Sequence, residues 1–257
     1  MTRPRVVASI EARCGSTRLP RKVLADVQGS PAIARLIRRL RACPLLDDIV
    51  LATTTDRSDD DLETLARDEG VACHRGSVND VLARVVGAHQ QMGSDLIVEV
   101  TGDCTLIDPA VIAWGVEHFL ANDAQVVTNV RIPSFPEGQD IQVFRRSLLE
   151  EVEATVVDPA VREHVSLHFY EHPQRYRIIH LLAPPSWHRP GLRCQLDWPE
   201  DLAFIRSVFA SLEPSLGPIF GLSAIIELVE REPAVAAINA HRTEKPVRPE
   251  DSACALP

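Results

Sequence analysis

Through its first half the chain alternates short β-branched runs with longer stretches of helical periodicity, and this rhythm restricts the fold more than any other feature. Val6–Ile10 is apolar and β-branched, and reads as a strand. Pro31–Cys43 then carries Ile33, Leu36, Ile37 and Leu40 at helical spacing, with Arg35, Arg38, Arg39 and Arg41 on other faces; Pro31 suits a first helical turn. Ile49–Thr54 is a second strand. A helix through Arg67 follows, with Ser58 as its expected cap and Asp59, Asp60 and Asp61 in its positive first turn. Val71–His74 reads as a strand, Val78–Gln91 as a helix, Leu96–Val100 as a strand and Pro109–Leu120 as a helix. Repeated strand–helix–strand passages imply right-handed crossovers, hence a three-layer α/β fold around a mainly parallel sheet.

The rhythm breaks after Ala121. Gln125–Asn129 and Asp140–Phe144 are strand-like on either side of a turn-rich segment, and Ser147–Glu153 and Pro159–Tyr170 look helical. Tyr176–Leu182 and Leu192–Leu196 read as strands, Pro199–Ala210 and Leu222–Glu230 as helices. With no repeat and no linker, we expect one domain over residues 1–242 and a loose polar tail over 243–257.

Acidic residues outnumber basic ones, 36 to 27, which disfavours a nucleic-acid-coating protein because such binding rests on neutralising many phosphates. Six cysteines, at 14, 43, 73, 104, 194 and 254, form no CxxC pair, which speaks against a zinc ribbon and for reduced thiols. No apolar run approaches the roughly 20 residues of a membrane helix. A cytoplasmic protein without membrane insertion is the expectation.

Against this acidic background, the run Glu11–Lys22 (EARCGSTRLPRK) gathers three Arg and one Lys directly after the first strand. Ligands of parallel α/β sheets bind beyond the carboxyl ends of the strands. Gly15 lets a ligand approach the backbone, N–H groups around Gly15–Thr17 can form an anion nest, and Arg13, Arg18 and Lys22 can add charge-assisted bonds to phosphate. Neither a Walker A loop nor a GxGxxG fingerprint is present. Two carboxylates fall at later strand ends: Asp103 in Thr101–Gly102–Asp103, and Asp197 ahead of Pro199. Together they could hold one Mg²⁺; separately, Asp103 reads equally as a turn residue and Asp197 as a helix cap. Asp59–Asp61 resembles a metal motif but reads better as an acidic helix start.

The run IEARCGSTRLPRK resembles the signature loop of the sugar-activating cytidylyltransferases, among them the 3-deoxy-manno-octulosonate and acylneuraminate enzymes. The likeness is strongest to the spore-coat polysaccharide biosynthesis group. GSVNDVLAR at 76–84, TGDCTLIDP at 101–109, PEGQDIQVF at 136–144, REHV at 162–165 and LDWPEDL at 196–202 follow in that group's order. The resemblance implies a Rossmann-like, GT-A-like nucleotidyltransferase fold with a mixed, mainly parallel sheet. It implies attack of an acceptor oxygen on the α-phosphorus of CTP, with loss of pyrophosphate. Arg13 and Lys22 take the catalytic positions, stabilising the phosphates, and Asp103 and Asp197 the Mg²⁺ ligands.

The nucleotide is expected along Ala12, Arg13, Gly15, Ser16, Thr17, Arg18 and Lys22, with Thr101 and Gly102 beside them and the base near Thr53, Arg75, Gly76 and Ser77. Asp80 and Arg84 belong to the matched pattern, either touching nucleotide or supporting the loop. The acceptor is assigned to Gln139, Asp140, Arg162 and His164, within a subregion of about 130–185 that also carries the expected homodimer contact. Arg162 reads equally as a salt-bridge residue, and His164 as a general base or a structural histidine. Cys14 stands where the group usually has Met, Arg21 where Gly is common and Thr105 where Pro is usual. The competing functions are a nucleotide-sugar-dependent glycosyltransferase, a nucleotidyltransferase using another triphosphate such as GTP, and a non-catalytic nucleotide-binding protein.

Overall fold

Five strands reach the sheet in the expected places: β1 (Val6–Glu11), β4 (Asp48–Thr54), β5 (Ala72–Gly76), β6 (Leu96–Thr101) and β8 (Gln142–Arg145). In this computed structural model, which describes residues 3–243 and Arg248, they join β7 (Val126–Thr128) and β9 (Ile178–His180) in the order β5-β4-β1-β6-β8-β7-β9. Strands β5, β4, β1 and β6 run parallel, as helical crossovers require, while β8 is antiparallel to both of its neighbours. The sheet is therefore mixed and mainly parallel. A separate hairpin of β2 (Asp26–Val27) and β3 (Ser30–Pro31) turns through Gln28 and Gly29, both at positive φ; the sequence reading missed it.

The helices follow the apolar stripes. Helix α1 (Ala32–Arg41), α4 (Pro109–Ala121), α8 (Pro199–Leu216) and α9 (Leu222–Arg231) enclose the larger core with Ile33, Leu36, Ile112, Phe204, Phe209 and Ile225. The opposite face is covered by α3 (Val81–Met92), α5 (Arg146–Thr155), α6 (Pro159–Glu163) and α7 (Leu167–Glu171), which bury Leu82, Val85, Leu149, Val161 and Phe169 against Ile97 and Phe144. Helix α2 (Asp60–Asp68) packs beside β5, and α10 (Pro233–Ala236) against α9.

Three expectations change. The single helix over Pro159–Tyr170 is two, broken at His164–Ser166, where His164 is extended. The strand at Leu192–Leu196 is an extended segment with one isolated bridge, Arg193 to Glu137. Its apolar alternation is genuine, since Leu192, Cys194 and Leu196 enter the core, but its partner is a loop. Ser58 does not cap the second helix: Asp56 accepts from Ser58 N at 2.8 Å and opens a 3-10 turn, Arg57–Asp59, ahead of α2. The tail expected at 243–257 lies outside the described residues apart from Thr243 and Arg248; Arg248 pairs with Asp158 and Glu171.

Strand register decides what faces the site. Side chains alternate across a strand, and the pairings Ser9↔Glu99, Glu11↔Thr101, Glu99↔Gln142 and Thr128↔Gln142 set these residues on one sheet face. A polar row thus crosses β1, β6, β8 and β7 near their site-facing ends.

Candidate active site

Beyond the ends of β1 and β6 lies a cleft of about 800 Å³. One rim is the basic loop. Cys14 O accepts from Ser16 N (3.0 Å) and Arg21 N (3.1 Å), which closes the loop on itself. Asp59, almost fully buried, accepts from Cys14 N at 2.7 Å and from the Thr54 hydroxyl, tying the loop to the end of β4. That bond, together with Asp60 on Arg75 and Asp61 on Arg21, occupies the acidic triplet in protein contacts. The N–H groups of Gly15, Thr17 and Arg18 have no acceptor among the described residues, and a Cβ on Gly15 would meet nothing within 4 Å. They are available to an anion.

Behind the loop, β6 ends in Thr101–Gly102–Asp103. Gly102 is held close: its N–H donates to Glu11 O at 2.9 Å, and a Cβ there would stand 2.9 Å from Ala12 Cβ. This contact brings Asp103 under the loop. Lys22 Nζ then lies between two carboxylates, 2.8 Å from Asp103 Oδ2 at the end of β6 and 2.7 Å from Asp197 Oδ1 at the end of the extended segment 192–196. Arg18 also reaches Asp197 Oδ1 at 2.7 Å, and Arg193 its Oδ2 at 3.2 Å; Thr101 donates to Asp103 Oδ1 at 2.5 Å. Burial works against the charges of Lys22 and Asp103, but their mutual attraction wins: the Lys22 pKa is raised, also by Asp197, and that of Asp103 lowered. Asp197 is not the helix cap, because Asp201 accepts from the N–H groups of Asp197 and Trp198, both at 2.9 Å. Two carboxylates meeting on one cation are an oxygen donor pair suited to Mg²⁺ carrying substrate phosphates. No group of three or more His, Cys, Asp or Glu side chains able to hold a metal occurs among the described residues, so water and phosphate would have to complete such a shell.

Of the other expected residues, Ala12, Arg13, Ser16, Thr17, Arg84, Asp140 and His164 line the cleft. Arg13 is 44% exposed and 3.6 Å from Glu163. His164 lies where α6 ends, exposed at the cleft; partial desolvation lowers its pKa, so the imidazole is neutral at pH 7. Gln139 and Arg162 do not line the cleft. Gln139 is fully buried, donating to Leu106 O (2.8 Å) and accepting from Asp108 N (2.9 Å), so it fixes the loops beneath the site. Arg162 takes the salt-bridge role, reaching Asp80 at 2.6 Å and Glu153 at 3.1 Å. Asp80 also caps α3 through Ala83 N at 2.9 Å, so the pair supports the loop before α3. Thr53, Arg75, Gly76 and Ser77 sit at the ends of β4 and β5, outside the lining of the cleft. Arg75 donates to Thr54 O and Asp56 O, both at 2.8 Å, and Gly76 leaves room for Arg84, whose Cγ would be 3.0 Å from a Cβ.

Sequence reasoning missed the acidic wall. Glu11 and Glu99 both line the cleft, with Tyr170, Ser166, Gln142 and Arg131 opposite or beside them. Glu99 accepts from the Ser166 hydroxyl, and Tyr170 OH lies 3.0 Å from Thr128 Oγ1. Burial raises the Glu99 carboxyl to about 7 against the pull of Ser166; burial and then Glu99 push Glu11 well up, with Arg84 offsetting part of the rise. The available signal was the glutamate interrupting the apolar strand LIVEV.

Comparison with known proteins points to one family. A family model described as cytidylyltransferase matches residues 7–220. The chain is 30% identical over 245 residues to an uncharacterized protein of Methanocaldococcus jannaschii, covering 95% of this chain and 98% of that one. It is 30% identical over 234 residues to the spore coat polysaccharide biosynthesis protein SpsF of Bacillus subtilis, covering 88% and 95%. A solved cytidylyltransferase from Leptospira borgpetersenii superposes with a TM-score of 0.87 at 28% identity, over 95% of this chain and all of that one.

Proposed function

Since this chain belongs to the cytidylyltransferase family and is a nucleotidyltransferase, we propose that it transfers CMP from CTP to a sugar, sugar acid or related acceptor with release of pyrophosphate. The name of the Bacillus relative supports a role in surface polysaccharide or glycoconjugate synthesis. The observation that carries the reading is the convergence of Lys22, Asp103 and Asp197 directly under an anion-ready loop. A buried ammonium held by two carboxylates is a preformed place for cation and phosphate to meet.

In this reading Gly15, Thr17 and Arg18 offer N–H donors to the triphosphate, and Lys22 and Arg13 add positive charge where the leaving pyrophosphate develops its own. Asp103 and Asp197 would hold Mg²⁺, which supplies neutralising charge to the phosphates when bound. The acceptor enters on the β8–β7 side, past Asp140 and His164, and neutral His164 is placed to accept a proton from it. A homodimer through residues about 130–185 is part of the same proposal. Exposed Ile132, Val157 and Leu182 are apolar surface that such a contact would cover.

The test is pyrophosphate release from CTP, GTP, UTP and ATP with Mg²⁺ and a panel of acceptors, in wild type and in Asp103→Ala. We expect CTP to be selected and the variant to lose about 10²–10³-fold in kcat, the scale of removing one charge-stabilising group. Undiminished turnover in the variant would remove Asp103 from the metal role. Tight CTP binding without turnover on any acceptor would favour a non-catalytic nucleotide-binding protein.

A further inference from the structure

Only two of the 27 Lys and Arg residues of this chain are lysines, Lys22 and Lys245. An ammonium at position 22 therefore runs against the composition. An ammonium is a compact point charge with three donors, whereas a guanidinium is a flat fork. The compact charge suits the place it takes, between two carboxylates: Lys22 Nζ is 2.8 Å from Asp103 Oδ2 and 2.7 Å from Asp197 Oδ1, and its side chain is only 12% exposed. The other carboxylate oxygens are engaged as well. Asp103 Oδ1 accepts from Thr101 and Asp197 Oδ2 from Arg193, while Arg18 shares Asp197 Oδ1 with Lys22. Arg193 is itself held by Asp201 and Glu137. The charges of Lys22 and Arg18 thus balance those of Asp103 and Asp197 one for one. The oxygens that suit Mg²⁺ are the same atoms that hold the ammonium, and Mg²⁺ would need them bare, at about 2.0–2.1 Å. Displacing Lys22 by metal alone would leave an ammonium with little access to water beside a doubly charged ion, without its counter-charge.

We propose that Lys22 is a built-in counter-ion that keeps divalent metal off Asp103 and Asp197 until a nucleoside triphosphate draws it away, so that metal and nucleotide bind with positive coupling through this one side chain. The inference rests on the cytidylyltransferase reading for the nucleotide, and gives Lys22 a role that precedes the chemical step. The basic loop supplies the means of exchange. A triphosphate seated on the N–H groups of Gly15, Thr17 and Arg18 brings several negative charges beside Lys22, which lines the same cleft. Lys22 and Arg18 then exchange carboxylate oxygens for phosphate oxygens with no loss of pairing. The released Asp103 and Asp197 carboxylates, with the phosphates nearby, leave a local excess of negative charge that favours a divalent cation. Linkage makes the effect reciprocal: the factor by which nucleotide raises metal affinity is the factor by which metal raises nucleotide affinity.

The first arm of the test needs no nucleotide. Mn²⁺ binding to the full chain is read from the EPR signal of free Mn²⁺, in wild type, Lys22→Gln and Arg13→Gln. Arg13→Gln removes the same charge from a cleft side chain that faces Glu163 instead of the two aspartates. We expect Lys22→Gln to bind Mn²⁺ about 10-fold or more tightly than wild type, within the usual range of coupling between sites. Arg13→Gln should stay within about 2-fold, because an exposed charge farther off is screened. The second arm uses wild-type protein, and decides the matter even if Lys22→Gln does not fold. With lysine labelled at its ε-carbon the chain gives two NMR signals, which Lys245→Arg assigns. Mg²⁺ alone should leave the Lys22 signal in place, and CTP should shift it. Equal Mn²⁺ affinity in wild type and Lys22→Gln, an equal gain in Arg13→Gln, or a Lys22 signal shifted by Mg²⁺ alone as far as by CTP would overturn the proposal. CTP that neither binds by calorimetry nor shifts the signal would instead overturn the cytidylyltransferase reading, with the Mn²⁺ comparison unaffected.

Discussion

Arg21 holds a φ of 56°, one of two non-glycine residues with positive φ among the described residues. Glycine is the residue that adopts this backbone without steric cost, which explains why the resembling group favours Gly at this position. The Arg21 side chain pairs with exposed Asp61, a contact of small worth in water. Arg21→Gly should therefore raise the melting temperature by about 2 °C, since relief of the left-handed strain exceeds the added freedom of the unfolded chain; a fall of the same size would show the ion pair to matter more than the backbone. The other two departures are quieter. Cys14 is buried, and burial with the nearby Asp59 carboxylate pushes its thiol up to about 11, so it packs beneath the loop as an unreactive group. Thr105 is fully buried with its hydroxyl unpartnered, and nothing in the structure explains the choice of Thr over Pro there.

Elements were legible wherever periodicity is local. The strands and helices through Ala121 appear within a few residues of their expected bounds, because apolar spacing and caps are written into adjacent residues. They failed where a partner far away decides. The helix over 159–170 breaks because Ser166 is drawn to Glu99 and Val165 into the core. The segment 192–196 pairs with a loop that sequence cannot place beside it. Helix α1 illustrates the reverse: the arginines on its expected polar faces include Arg39, which is fully buried. Its guanidinium donates to Ile107 O at 2.7 Å, Pro218 O at 3.1 Å and Phe220 O at 2.7 Å and stacks on Phe220. One side chain thus fastens α1 to the loops before α4 and after α8. Arg39→Met would strand three carbonyls and should cost about 3–5 kcal/mol, or about 10 °C in melting temperature. A loss below about 2 °C would mean that water replaces the donor.

Over the whole molecule, the acidic wall should govern how stability varies with pH. The Glu99 carboxyl titrates near 7 in the folded chain against an ordinary value of 4.5, so the folded state holds its proton over a range where the unfolded state has lost it. Its contribution is therefore least unfavourable below pH 4.5 and worsens as pH rises toward 7. Glu99→Gln should gain stability over the wild type by about 1–3 kcal/mol between pH 5 and pH 8, measured by urea unfolding at each pH. A difference independent of pH would show that Glu99 is ionised in the fold throughout.

The sequence by itself determined the main strands and helices through Ala121, the mainly parallel sheet, the basic loop after the first strand and the Asp103 carboxylate at the end of a later strand. Each follows from residues a few positions apart. Only the tertiary structure decided that Lys22 bridges Asp103 and Asp197, 81 and 175 residues away, and that Arg162 turns from the cleft to Asp80. It also decided that Glu11 and Glu99 share a wall with Arg84. These contacts depend on which strands become neighbours and on which face each residue falls. Sheet order and register are properties of the packed chain, and no local window of sequence contains them.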